Sequence, residues 1–145
     1  MVRFETTVTI DRPVQEVFAF VRDPDAVPQW QAGVVEVKTE QEGPLQSGSK
    51  VTEIRKFLGR QLRSTLQITA LEENRTLNLK VLEGPIPFSV NQDFEDLGAS
   101  TKITVVGEGE PGGLFKLAEP IVGKAAERQL KADFETLKDL LEARQ

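Results

Sequence analysis

The stretch IDRPVQEVFAFVRDPDAVPQWQ at residues 10–31 constrains the fold more than any other part of the chain. A strand-like run ends at Ile10 and a helix follows almost at once. Pro13 suits the first turn of a helix, where its missing N–H costs nothing. Asp11 is placed to help cap that end. Val14, Val17, Phe18 and Val21 recur at helical spacing and form one apolar stripe. Pro24 disfavours helical geometry at Asp23 and stops the helix. A proline-bounded turn then leads to Trp30, the one tryptophan of the chain.

On both sides of this stretch the pattern is that of strands. From Val2 to Ile10 the residues Phe4, Thr6, Val8 and Ile10 share one face. Val34 to Thr39 reads as a strand with Val35 and Val37 on one face. Lys50–Leu58 and Arg60–Leu71 flank Gly59 as a hairpin. With a two-residue turn, Val51, Glu53, Arg55 and Phe57 share a face with Leu62, Ser64, Leu66 and Ile68. The turn near Asn74 and Arg75 carries the same parity to Leu77, Leu79 and Val81. After the loop GPIP at 84–87, Phe88, Val90, Gln92 and Phe94 alternate in turn. Ile103 and Val105 belong to a last strand beyond the turn at Leu97–Ser100.

Gly107, Gly109, Pro111, Gly112 and Gly113 mark a flexible hinge or gate before the closing helix. There Val122, Ala126, Leu130, Phe134, Leu137 and Leu141, spaced 4-4-4-3-4, form a continuous apolar stripe. Lys131, Glu135, Lys138 and Glu142 form a charged face expected to be solvated. At 1.5 Å per residue, a helix from Pro120 to Arg144 is about 37 Å long. Seven strands joined by short loops after the first crossover imply a largely antiparallel sheet. The closing helix is long enough to cover its buried face. A strongly curved sheet gripping a helix leaves space between them, and such space is where ligands bind. With no internal repeat or linker, residues 1–145 read as one domain.

Composition removes several functions. A net charge of −5 argues against nucleic-acid binding, which needs clustered Lys and Arg. No run approaches the roughly 18 apolar residues of a membrane span, so no membrane insertion is expected. The segment MVRFETTVTI lacks the features of a signal peptide, and a cytoplasmic location is expected. The chain has no Cys, His or Tyr. That removes thiolate nucleophiles, imidazole bases and imidazole or thiolate metal sites. No metal and no cofactor are expected. GEGEPGG at 107–113 lacks the Lys-Ser/Thr ending of a phosphate loop.

The segments IDRPVQEVFAFVRDPDAVPQW at 10–30, FLGRQLRSTLQITALEENRTL at 57–77 and the run from Pro87 to Ala143 together resemble the SRPBCC superfamily, also called START-like or birch-pollen-allergen-like. The likeness is to its polyketide cyclase/dehydrase and lipid-transport branch and spans essentially the whole chain. It implies an α+β helix-grip fold. A curved seven-stranded antiparallel sheet would wrap around a long C-terminal helix, with two short helices after the first strand. It also implies a deep, mostly apolar pocket for lipids, steroids, polyketides or similar molecules. The match is to a scaffold, which specifies fold better than activity. Members acting on polyketides are expected to place protic or ionisable groups in the pocket, and this chain has no His or Tyr for such roles.

Strand parity sends Thr6, Glu53, Arg55, Ser64 and Gln92 to the inner face. Glu53 and Arg55, two apart on one strand, point to the same side. They read either as a polar anchor, with Arg55 holding a ligand carboxylate or carbonyl, or as an ion pair satisfying itself at the rim. Gln92 reads as a ligand contact or as an amide bonded to a neighbouring strand. Trp30 lines the pocket mouth or packs the short helices onto the sheet. Phe57, Phe88, Phe94, Phe115 and Phe134 divide between cavity lining and core.

The expected ligand-binding set is Trp30, Glu53, Arg55, Ser64, Leu66, Leu79, Phe88, Gln92, Phe94 and Phe134. The leading expectation is a module that binds or transports a hydrophobic, lipid-like or polyketide-like small molecule. An enzyme of cyclase or dehydratase type is the second, with Glu53 as general base and Arg55 stabilising an enolate. A protein-interaction module is the third. The oligomeric state is left open, a homodimer being one option.

Overall fold

The structure is a computed structural model that describes residues 2–109 and 119–144. Expectations for Phe115 and for the hinge residues Pro111, Gly112 and Gly113 lie outside the described residues. The elements are β1 (Val2–Ile10), α1 (Val14–Arg22), α2 (Val27–Trp30), β2 (Val34–Thr39), β3 (Lys50–Phe57), β4 (Arg60–Glu72), β5 (Thr76–Glu83), β6 (Phe88–Asp96), β7 (Thr101–Gly109) and α3 (Glu119–Glu142). The strands form one curved antiparallel sheet in the order β1-β7-β6-β5-β4-β3-β2. Each strand after β2 pairs with its predecessor, and the first closes against the last. This is the helix-grip architecture expected from the sequence.

The β3–β4 hairpin turns on Leu58 and Gly59, whose φ values are 51° and 77°. Positive φ at both central residues matches the twist of the flanking strands and fixes a two-residue turn. That turn pairs Phe57 with Arg60 and so sets Glu53 opposite Ser64 and Val51 opposite Leu66. The β4–β5 register shifts at Thr65/Leu66 and at Ile68/Ala70, and Ile68 still meets Leu79. Beyond it Leu77 stands opposite Gln92 and Leu79 opposite Val90.

The strand β2 departs from simple alternation. Its register shifts between Val34 and Glu36, so Val34 pairs with Arg55 and Val37 with Glu53. Val34 is therefore buried with Val37 turned inward, while Val35 is 51% exposed. The expected pairing of Val35 with Val37 fails because the bulge inserts one residue and flips the face behind it.

Two end contacts also differ from expectation. The cap of α1 is Pro13, in extended geometry and without a side-chain hydrogen bond. Asp11 acts instead through its backbone N–H, which donates to Glu142 Oε2 at 2.7 Å. Lys138 Nζ donates to the same oxygen at 2.9 Å and also to the Thr9 carbonyl. The Lys138–Glu142 end of the charged face is therefore a clamp that ties the C-terminal end of α3 to the β1–α1 corner.

The Glu142 carboxyl is held below the usual carboxylate range, first by the Asp11 N–H and then by Lys138. A carboxyl whose folded pKa lies below its unfolded value stabilises the fold above the unfolded value. That contribution is lost as pH falls towards the folded value. Glu142→Gln is therefore expected to lower the melting temperature at pH 7, with the difference from wild type shrinking below about pH 4.5. Circular dichroism melts at pH 7 and pH 3 check this.

The core lies where α1 and α3 cross the sheet end formed by β1, β7 and β6. Phe18 meets Phe94 edge-to-face with ring centroids 5.0 Å apart. Ile10, Ile103, Leu137 and Leu141 are completely buried beside them. Phe134, Leu137 and Leu141 carry the apolar stripe of α3 into this core.

Candidate functional site

Towards the other end, the sheet and α3 diverge around a cavity of about 230 Å³. Its floor is the inner face set by hairpin parity, with Leu62, Leu66, Leu79, Phe88 and Val90 prominent. Its roof is α3, through Gly123, Ala126, Leu130 and Phe134. Val21, Val27 and Trp30 of the two short helices close one side, with Leu45 of the β2–β3 loop beside them. Gly107 has a specific role here. A Cβ at this position would lie 2.6 Å from the ring of Phe4. The bare backbone of β7 gives that ring the space it occupies at the cavity edge.

One side of this apolar space is polar. Arg55 Nε donates to Glu53 Oε1 at 2.8 Å, and Arg55 Nη2 donates to Gln31 Oε1 at 2.8 Å. A longer contact of 3.4 Å from Nη2 engages Glu53 Oε2. Asp133, on α3, faces the same region. Its Oδ1 accepts from Gln129 Nε2 at 2.7 Å and from the Ala32 N–H at 3.2 Å. Glu53 is 8% exposed and Asp133 only 3%. Burial raises the Asp133 pKa, opposed by the hydrogen bonds from Gln129 and Ala32 and by the charge of Arg55. Deeper on the floor, Gln92 is flanked across the sheet by Leu77 and Val105. Its Nε2 donates to the Leu77 carbonyl at 3.0 Å, which fixes the orientation of the amide.

The structure brings nine of the ten expected residues to this cavity: Trp30, Glu53, Arg55, Ser64, Leu66, Leu79, Phe88, Gln92 and Phe134. Phe94 is the exception. It faces inward as its parity requires, but it lies under α1 against Phe18, in the core rather than on the cavity wall. Trp30, expected either at the mouth or packing the short helices onto the sheet, is 2% exposed and meets Phe134 edge-to-face at 5.1 Å. It both packs α2 onto α3 and lines the cavity. Its Nε1 has no hydrogen-bond partner among the described residues. Thr6 is half-buried opposite Val105 and does not line the cavity. Phe57 does line it.

Asp133 and Gln129 were not among the expected residues. The signal for Asp133 was present: it stands three residues after Leu130 and four before Leu137, in phase with the apolar stripe. An acidic residue at that phase on a core-facing helix has to meet either buried partners or a ligand.

A curved antiparallel sheet gripping a C-terminal helix over a mostly apolar cavity defines a START-like, helix-grip domain. More narrowly, the chain belongs to the polyketide cyclase/dehydrase and lipid transport family, whose sequence pattern matches residues 1–142. Among solved structures, the fold is similar to that of the Zhui aromatase/cyclase from Streptomyces sp. R1128. Identity is 20%, the TM-score is 0.83, and the match covers 98% of this chain and 94% of that one. A START superfamily protein from Mycobacterium smegmatis is 19% identical with a TM-score of 0.81, covering 98% of both chains. A third similar structure, the protein TTHA0849 from Thermus thermophilus, is 14% identical with a TM-score of 0.82, covering 98% of this chain and 99% of that one. No curated protein matches the sequence. No helix among the described residues is long and apolar enough to cross a membrane.

Proposed function

We propose that this protein binds a small, largely apolar molecule in the cavity between the sheet and α3, and carries, sequesters or senses it. The observation that supports this best is the contrast within the cavity. Its walls are mainly aliphatic and aromatic, while five of its polar side chains, Glu53, Arg55, Gln31, Gln129 and Asp133, form one cluster, with Gln92 and Ser64 apart from it on the floor. Apolar contact supplies affinity in such a site, and a few fixed polar groups supply orientation. A ligand burying about 250 Å² of apolar surface gains about 6 kcal/mol before ordering costs, which sets a Kd in the tens of micromolar as the tightest that apolar burial alone supplies.

The other two readings draw less support from the geometry. A cyclase or dehydratase using Glu53 as general base needs a free carboxylate, and both Glu53 oxygens are engaged by Arg55. An interaction module needs a contiguous exposed apolar patch. Among the described residues, the large exposed apolar side chains Val35, Leu58, Leu82, Leu97, Ile121 and Leu140 sit on separate strands, turns and helix faces.

Titration with the neutral apolar fluorophore N-phenyl-1-naphthylamine tests the binding reading. Saturable one-to-one enhancement of its emission, accompanied by energy transfer from Trp30, is the expected result. Emission that rises without saturation would overturn it.

A further inference from the structure

We infer that the cavity selects neutral, hydroxyl-bearing ligands, such as phenols or alcohols, over carboxylates of the same carbon frame. This rests on the binding reading above and adds the chemistry of the polar group. It follows from counting which buried polar atoms are already engaged. Four deeply buried polar side chains line the cavity: Glu53, Ser64, Gln92 and Asp133. Both oxygens of Glu53 accept from Arg55. Gln92 uses its donor on the Leu77 carbonyl, so its Oε1 is left as an acceptor with no partner among the described residues. Asp133 receives both of its hydrogen bonds on Oδ1, and Oδ2 is left in the same condition. The Ser64 hydroxyl can rotate to donate or accept. Among these four side chains the unused groups fixed in orientation are thus two acceptors, both on side chains at least 96% buried.

Such acceptors need a donor, and leaving them unpaired beside a ligand costs binding energy. A hydroxyl supplies one. A carboxylate supplies only acceptors and adds negative charge to a region that already holds Glu53 and Asp133. Two arginines line the cavity, and Arg22 spends Nη2 on the Leu45 carbonyl and stands over the Phe18 ring. Arg55 spends Nε and Nη2 on Glu53 and Gln31, and its Nη1 lies 3.9 Å from where a Cβ on Gly33 would sit. Gly33 does not line the cavity. This revises the expectation that Arg55 holds a ligand carboxylate.

Displacement of N-phenyl-1-naphthylamine by 2-naphthol, 2-naphthoate and unsubstituted naphthalene at pH 7 tests the inference. 2-Naphthol is expected to bind about tenfold or more tightly than 2-naphthoate, about the effect of one buried hydrogen bond. Gln92→Met removes one free acceptor and is expected to reduce the ratio of 2-naphthol to 2-naphthoate affinity, each read relative to naphthalene in the same variant. Asp133→Asn keeps an oxygen for Gln129 and Ala32 and places an N–H where Oδ2 stands. It is expected to weaken 2-naphthol and strengthen 2-naphthoate. Circular dichroism confirms that each variant is folded, and either variant alone decides the question. Equal or tighter binding of 2-naphthoate by the wild type overturns the inference and points to Arg55 Nη1 as an anion anchor. A preference unchanged in a folded variant overturns it too. Failure of all three compounds, naphthalene included, removes the binding reading itself.

Discussion

Leu137→Ala is expected to lower the unfolding free energy by about 3 to 5 kcal/mol. Leu137 is completely buried on the face of α3 that packs into the core with Ile10, Ile103, Phe18 and Leu141. Truncation removes the transfer energy of the lost methyl groups and leaves a void that neighbours on a seven-stranded sheet fill only in part. The same change at Leu140, three residues along from Leu137 and 38% exposed, is expected to cost less than about 1 kcal/mol. Urea unfolding at 25 °C reads both as shifts in midpoint at constant slope. Similar losses at the two positions would mean that α3 is not held by the Phe134–Leu137–Leu141 stripe.

Arg55→Leu is expected to cost about 2 kcal/mol, because it leaves Glu53 buried without its donors. The figure is set below that of a fully buried pair because the Arg55 and Glu53 side chains retain 22% and 11% exposure. Replacing both residues with leucine is expected to be milder than adding the two single losses, since no unpaired charge is then left under the sheet. A double-mutant cycle measures the coupling directly. Strict additivity would show that the 2.8 Å contact contributes nothing to the fold. Arg55→Leu therefore reports on stability as well as on ligand binding, and a loss of affinity in this variant is interpretable only beside its unfolding curve.

Parity explains why much of the site could be read from the sequence. A two-residue turn at Leu58–Gly59 fixes the register of β3 on β4, and the inward faces of those two strands follow from it. The strand β5 keeps Leu79 and Val81 inward, opposite Ile68 and Leu66, only because the β4–β5 register shifts at Ile68/Ala70. Parity gives the face but not the depth. Phe94 and Gln92 face the same way, yet α1 crosses over Phe94 and not over the cavity, so one is core and the other lines the pocket. The β2 face was misread because nothing in VVEVKT marks the bulge at Val35, which depends on how β2 meets β3. The phase of Asp133 on the α3 stripe is legible in the sequence, but its partner is not: the Ala32 N–H is a backbone donor 101 residues away that only the folded chain brings near. The clamp of Glu142 on the Asp11 N–H spans 131 residues and is equally invisible to local pattern.

Filling the cavity from its floor is the most direct test of the central claim that the protein is a container for an apolar ligand. Leu62 and Val90 are half-buried, line the cavity and sit on separate strands. The double variant Leu62→Phe/Val90→Phe grows into open space, so the fold is expected to survive with its circular dichroism spectrum intact. Titration of this variant with N-phenyl-1-naphthylamine, beside the wild type, is the measurement. Saturable binding by the wild type and its loss by at least tenfold in the filled variant are expected. Equal affinity in the two proteins would place the probe on the outer surface and contradict the claim.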